Sequence, residues 1–197
     1  DERFALDLLR IRPLAGAILI GVALYVMIGV FDPLWVVMMD DLGAPNWIGN
    51  AGVSIFGMPW ILFATVGGAI AQKYGPFRVS AFGLVIGAFY MAAYGFIGSP
   101  YVMLSVAVTQ SALDALTVTG TGIAVANAAP PQRQAGASGL LGGIQTLTGG
   151  VVALAAGSVY EHFGRGVAFG ATGVAMLSLV CIGCLLAGPK LLRRPNH

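Results

Sequence analysis

Two short stretches, GGAIAQKYG at residues 67–75 and AGSVYEHFG at residues 156–164, each end a long apolar run and match position by position. Both keep glycine at the second and last places, a branched apolar residue at the fourth and an aromatic ring at the eighth. The copies differ in charge, since Gln72 and Lys73 of the first stand where the second has Glu161 and His162. This pattern predicts a duplicated unit whose two copies lie in different surroundings.

The composition around these stretches indicates a polytopic membrane protein. Charged residues make up 9% of the 197-residue chain and hydrophobic residues 57%, whereas about a quarter of a typical soluble domain is charged. A soluble fold of this composition would have too little polar surface to face water, so the bilayer limits the chain to helices that satisfy their own backbone. The formal net charge of +2 is too small to argue for a nucleic-acid partner.

Six apolar runs are each long enough to cross the hydrocarbon core as a helix, which takes about 20 residues. The breaks between them are short, contain Gly or Pro, and leave no room for a further domain. The runs cover residues 13–38, 47–71, 79–97, 102–127, 137–160 and 166–187.

The charges predict the topology. If successive breaks alternate sides, nine of the ten basic residues fall on the side of residues 1–12, and Arg165 alone falls on the other. Basic loops face the cytoplasm, so we expect both termini to be cytoplasmic. Three spans separate the two repeated stretches, and an odd number places them on opposite faces. The predicted fold is therefore an all-α membrane protein of six transmembrane helices, built as two inverted three-helix repeats.

The repeated stretch also carries a resemblance to a known family. Gly68, Lys73, Gly75 and Arg78 match the loop motif G-x-x-x-D-[RK]-x-G-[RK]-[RK] of the major facilitator superfamily, while Gln72 and Pro76 depart from it. The stretch PPQRQAGASGL at residues 130–140 is similar to the loop entering the family's eleventh span. DLGAP at residues 41–45 and LAAGSVYEHFG at residues 154–164 resemble the drug-efflux-like bacterial members.

The resemblance covers the whole chain and implies the C-terminal half of a secondary transporter in a bacterial inner membrane. It implies a cytoplasmic linker at 1–12, a transmembrane bundle at 13–188 and a cytoplasmic tail at 189–197. The implied partners are the N-terminal six-helix half of the same transporter, the lipid bilayer, a small drug-like or metabolite solute, and protons.

Asp114 is the strongest candidate for proton coupling. A carboxylate at bilayer depth is costly, so it should face water, a partner or a transport pathway. Gln110, Thr117 and Thr121 share its helix face at spacings of four, three and seven. The same polar stripe could instead be an interhelical hydrogen-bond cluster that only joins helices.

Asp32 is the second candidate, and it precedes Pro33. It could take part in coupling, or it could cap a helix that restarts at the proline. Tyr25 and Trp35 could share its face, which makes them candidate substrate-binding residues. The further candidate substrate-binding residues are Gln110, Thr117 and Thr121 beside Asp114, Asn50 on the second run and Gln145 on the fifth.

No enzyme is expected. The two histidines, His162 and His197, fall in a loop and at the C-terminus, and no phosphate-binding glycine loop is present. Cys181 and Cys184 are spaced C-x-x-C inside an apolar run and are interpreted as packing residues, so no metal or cofactor is expected. The alternative to a transporter is a six-helix scaffold or subunit that pairs with another membrane protein.

Overall fold

The computed structural model describes residues 5–192, without the side chains of Val53 and of residues 189–192. The described residues form helices, turns and short loops and contain no strand. Five helices in this described part are long and apolar enough to cross a membrane. The elements are a 3-10 helix Ala5–Arg10, α1 Arg12–Asp41, α2 Asn46–Tyr74, α3 Pro76–Tyr94, α4 Pro100–Ala128, a 3-10 helix Pro131–Arg133, and α5 Gln134–Leu192.

Proline and glycine place the helix boundaries. α1, α3 and α4 each have proline in their first two positions, where its missing N–H costs nothing. Gly75 alone separates α2 from α3, and its φ of 96° is one that a residue with a side chain rarely adopts. Residues 72–78, the predicted break between the second and third apolar runs, are thus helical except at Gly75.

Helix α5 changes direction at Gly164, where φ is 80° and ψ is 169°. Its 59 residues would span about 88 Å if straight, roughly three times the hydrocarbon thickness. Near the start of α1, Gly16 lies against Gly183, and Gly21 lies against Gln145. Gln145 belongs to the first segment of α5, residues 134–163, and Gly183 to the second segment, residues 165–187, so both segments reach the start of α1. The two segments therefore run antiparallel on either side of Gly164.

The bundle has two chemically distinct ends. Asp7 and Arg133 meet at one end, and Pro76 lies there beside Gly120. At the other end Asp41 meets Tyr160, and Gly95 contacts Gly166. The first, here called the basic end, holds Arg10, Arg12, Lys73, Arg78 and Arg133; the second, the acidic end, holds Asp40, Asp41, Glu161 and Arg165.

Lone glycines allow the backbones of α1 and α5 to approach closely. A Cβ on Gly16 would lie 2.6 Å from the carbonyl oxygen of Gly183, and one on Gly29 would lie 2.7 Å from that of Gly149. Gly139 and Gly143, a G-x-x-x-G pair in the sequence, face open space within the chain. The crossings of α1 with α5 thus depend on glycines outside that motif.

Helix α1 is continuous through Asp32 and Pro33. The interpretation that Asp32 caps a restarting helix is therefore wrong, because the helix already begins at Arg12 and proline is accommodated inside it. Of the basic residues used to predict the topology, Arg3, Arg193 and Arg194 and the side chain of Lys190 lie outside the described residues.

Candidate functional site

A cavity of about 240 Å³ lies between α1, α2 and α4. Each helix presents one face to it, and most of its wall is apolar. Its lining residues are Met27, Ile28, Phe31, Asp32, Phe56, Gly57, Trp60, Ala107, Gln110, Ser111 and Asp114. Of the residues singled out in the sequence, the structure brings Asp32, Gln110 and Asp114 together here.

Asp114 lies near the middle of α4 and is 8% exposed. Asp32 reaches the same cavity from α1 and is exposed at its mouth. No Lys, Arg or His among the described residues lines the cavity, and the described side-chain ion pair, Arg133–Asp7, lies at the basic end. Two carboxyl groups thus share a largely apolar space without a cation from the described residues. Binding of a proton or of a positively charged solute lowers the electrostatic cost of this arrangement.

Gln110, one turn before Asp114, is 3% exposed. Its Nε2 donates to Sδ of Met27 at 2.9 Å, and its buried Oε1 has no hydrogen-bond partner in the structure. Because buried acceptors are usually satisfied, this oxygen is a ready acceptor for a water molecule or a solute donor in the cavity.

Aromatic rings form part of the cavity wall and pack behind it. Phe31 and Phe56 line the cavity with their centroids 5.6 Å apart. Trp35 stands edge-on to Phe56 at 4.6 Å, behind the cavity wall. Tyr94 of α3 packs on Phe31 at 5.1 Å, and its buried hydroxyl also has no partner in the structure.

Sequence reasoning missed most of this wall, including Met27, Phe31, Phe56 and Trp60. Apolar residues inside an apolar run give no signal that separates a cavity wall from a lipid-facing surface. Ser111 could have been found, because it lies three residues before Asp114 and so shares its face. Its hydroxyl donates to the carbonyl oxygen of Phe56 at 2.5 Å, which joins α4 to α2.

The other predicted substrate-binding residues do not line this cavity. Trp35 is fully buried and donates from Nε1 to the carbonyl oxygen of Ile48 at 3.3 Å. Gln145 donates to the carbonyl oxygen of Gly21 at 3.2 Å. Tyr25 lies half-buried where α1 meets Gly149 of α5.

Three further predicted substrate-binding residues, Thr117, Thr121 and Asn50, also lie outside this cavity. Thr117 and Thr121 are buried and donate to carbonyl oxygens one turn back, those of Leu113 and Thr117. Asn50 is exposed on α2. The predicted polar stripe of α4 therefore divides: Gln110 lies on the cavity, Thr117 lies against Gly83 of α3, and Thr121 lies against Gly21 of α1.

The loop-motif residues gather at the basic end. Gly68 and Lys73 lie on the last part of α2, Gly75 makes the turn, and Arg78 lies in the first turn of α3. Lys73 and Arg78 are exposed, and neither forms a salt bridge with another described residue.

No group of three or more His, Cys, Asp or Glu side chains within residues 5–192 could hold a metal ion. Cys181 is exposed and Cys184 half-buried, and both are free thiols. The described part of the chain therefore offers a polar-and-aromatic cavity as its candidate site.

The sequence model of the Major Facilitator Superfamily matches residues 17–197. The chain belongs to the Major Facilitator Superfamily. No curated protein and no solved structure matches it. Members of this superfamily are membrane transporters rather than enzymes, so this chain is a multi-pass membrane protein of a transporter family.

Proposed function

We propose that this chain is the C-terminal half of a proton-coupled secondary transporter that moves a small drug-like or metabolite solute by alternating access. The observation that carries the proposal is Asp114, which is nearly buried in a membrane helix and lines a cavity to which the described part of the chain contributes no basic residue. Such an intramembrane carboxylate is by default a candidate for a proton or ion pathway.

The proposed topology is six spans in two inverted three-helix repeats, with the basic end cytoplasmic. The reversal of α5 at Gly164 supports six crossings. Gly75 and Gly164 are the last residues of the two repeated stretches, both have positive φ, and they lie at opposite ends of the bundle. That correspondence is what an inverted repeat requires, and the basic residues favour a cytoplasmic face at their end of a bacterial inner membrane.

The N-terminal six-helix half is the proposed partner. Helix α2 is the least buried of the five apolar helices, and the first segment of α5 also exposes large apolar side chains, such as Leu147 and Leu154. The cavity opens beside α2, whose Trp60 is 37% exposed. A second bundle against these faces would close the cavity at mid-membrane, and rocking of the two halves would open it to each side in turn.

The lining favours an amphipathic solute that carries a positive charge. Asp32 and Asp114 supply negative charge, and Phe31, Phe56 and Trp60 supply ring faces, a combination that attracts organic cations. A proton and a cationic solute would compete for the same carboxyl groups, which gives a physical basis for their exchange.

The test is solute transport by the full-length protein in proteoliposomes with an imposed pH gradient. Solutes first identified by a thermal-shift panel are followed in the wild type and in Asp114→Asn, with Asp40→Asn as the matched control at the exposed end of α1. We expect gradient-driven transport in the wild type and the control, and its loss in Asp114→Asn.

Unchanged transport with an unchanged pH profile in Asp114→Asn would contradict the coupling role. Absence of transport for every solute that stabilises the protein would instead favour a scaffold or subunit that pairs with another membrane protein.

A further inference from the structure

A second, larger cavity of about 630 Å³ lies on the apolar surface of the bundle, at the basic end. Here it is called the α3 groove. Its walls come from α2, α3, α4 and the second segment of α5, and its lining residues are Ile70, Tyr74, Arg78, Val79, Ala81, Phe82, Gly83, Val85, Ile86, Leu113, Leu116, Thr117, Val180 and Cys184.

The depth of the α3 groove matches one leaflet of a bilayer. Along α3 it runs from Arg78 to Ile86, which is about 12 Å of helix and less than half of the ~30 Å hydrocarbon core. Its floor is apolar, because the hydroxyl group of Thr117 already donates to the carbonyl oxygen of Leu113. The groove therefore suits a hydrocarbon chain that enters from the basic end and stops near the bilayer centre.

The mouth of the α3 groove is positively charged. Arg78 lines it and is exposed, and Nζ of Lys73 lies 5.4 Å from the ring centroid of Tyr74, which also lines it. Within residues 5–192, no Asp or Glu lines the α3 groove. Asp7, a carboxylate of the same end, is paired with Arg133. A negative headgroup would thus find two cations at the level where lipid headgroups lie.

We propose that the α3 groove binds an anionic phospholipid, with one acyl chain in the groove and the phosphate group between Lys73 and Arg78. Two independent observations, the one-leaflet depth and the cationic mouth, point to the same ligand. The proposal assigns a role to Lys73, Gly75 and Arg78, since the turn at Gly75 sets the two basic side chains on neighbouring helices at one opening.

The proposed lipid would also contact the helix that carries Asp114. Leu113, Leu116 and Thr117 lie on the floor of the α3 groove, while Asp114 lines the other cavity. Bound lipid would therefore brace α4 from behind the candidate site.

Thermal unfolding of the full-length detergent-solubilised protein tests the proposal, with dioleoyl phosphatidylglycerol, dioleoyl phosphatidylcholine and inorganic phosphate as separate additions. We expect phosphatidylglycerol to raise the Tm by several degrees more than phosphatidylcholine, and phosphate to leave it unchanged. The Lys73→Gln/Arg78→Gln double variant should lose at least half of the phosphatidylglycerol shift. Arg165→Gln, at the acidic end, should keep it.

Equal shifts from the two lipids, an equal shift from phosphate alone, or a full shift in the double variant would overturn the proposal. Because both substituted side chains are exposed, the double variant should fold, and native mass spectrometry can count its bound lipids directly. The readout is lipid binding, so the proposed transport function can fail without affecting the result.

Discussion

At the residue scale, Asp114 illustrates the free-energy cost of placing a carboxylate inside a membrane helix. A carboxylate at the helix centre costs about 2.5–3.5 kcal/mol on insertion scales, and Asp114 is 8% exposed without a described cationic partner. Asp32 faces the same cavity but is exposed at its mouth. The two carboxyl groups should therefore contribute unequally to function.

Replacing Asp32 with Asn should weaken solute binding without abolishing it. An exposed charge pair contributes about 0.2–1 kcal/mol, which corresponds to a loss of affinity of up to roughly fivefold. Isothermal titration of the full-length protein with a transported cationic solute measures this loss, with Asp40→Asn as the control. A loss in Asp32→Asn as large as that in Asp114→Asn would contradict the unequal roles.

The pair of Asp7 and Arg133 should stabilise the basic end in a pH-dependent way. Arg133 donates hydrogen bonds to both carboxylate oxygens, one of them at 3.0 Å, and this lowers the pKa of Asp7 below its ordinary value of 3.8. Because the folded-state pKa is lowered, the stabilisation is complete above pH 3.8 and is lost as the pH falls through the lowered pKa.

We therefore expect Asp7→Asn to lower the Tm slightly at pH 7, and its difference from wild type to vanish in strong acid. A difference between wild type and Asp7→Asn that persists unchanged into acid would show that the pair does not act through charge.

At the element scale, glycine backbone geometry decides where helices turn. Gly164 has φ 80° and ψ 169°, a region that only glycine adopts without strain. Gly164→Ala should destabilise the full-length protein by about 1–3 kcal/mol, seen as a lower Tm. Gly157→Ala is the matched control, because Gly157 is helical and nothing lies within 4 Å of an added Cβ. Equal Tm values for the two variants would contradict the reversal at Gly164.

A separate prediction concerns the stability of the crossing between α1 and the second segment of α5. A Cβ on Gly16 would meet backbone atoms of Gly183 and Ala187 at 2.6 and 2.8 Å, so the two helices would have to move apart. Gly16→Ala should cost about 1–3 kcal/mol from overpacking, measured by thermal unfolding. Gly139→Ala, which meets open space, should leave the Tm unchanged or raise it, and a fall as large as that of Gly16→Ala would refute the explanation.

Most helix positions were predictable, because the bilayer thickness requires apolar runs of about 20 residues and Gly or Pro marks the breaks between them. Less predictable was the continuity of α1 through Pro33, since a sequence does not show whether neighbouring helices support a proline inside a helix. The close contacts of Gly16 and Gly29 were also hidden, because a single glycine in a membrane helix gives no motif.

At the scale of the whole molecule, the candidate site depends on how helices rotate against one another. Asp114 and Gln110 were predictable as polar residues on one helix face, and Asp32 as a charge in an apolar run. The sequence also assigned Tyr25 and Trp35 to the face of Asp32, yet Trp35 lies behind the cavity wall and Tyr25 against α5. Helices that are apolar on every side carry no periodic signal for that rotation, so the walls needed the structure.

The central claim is that Asp114 exchanges a proton for solute, and proton release on solute binding measures this most directly. The full-length protein, in weakly buffered solution with a pH indicator, is mixed with a cationic solute that it transports. We predict that wild-type protein and Asp40→Asn release protons on binding and that Asp114→Asn releases none. Equal release from Asp114→Asn, or no release from the wild type at any pH at which the solute binds, would contradict the claim.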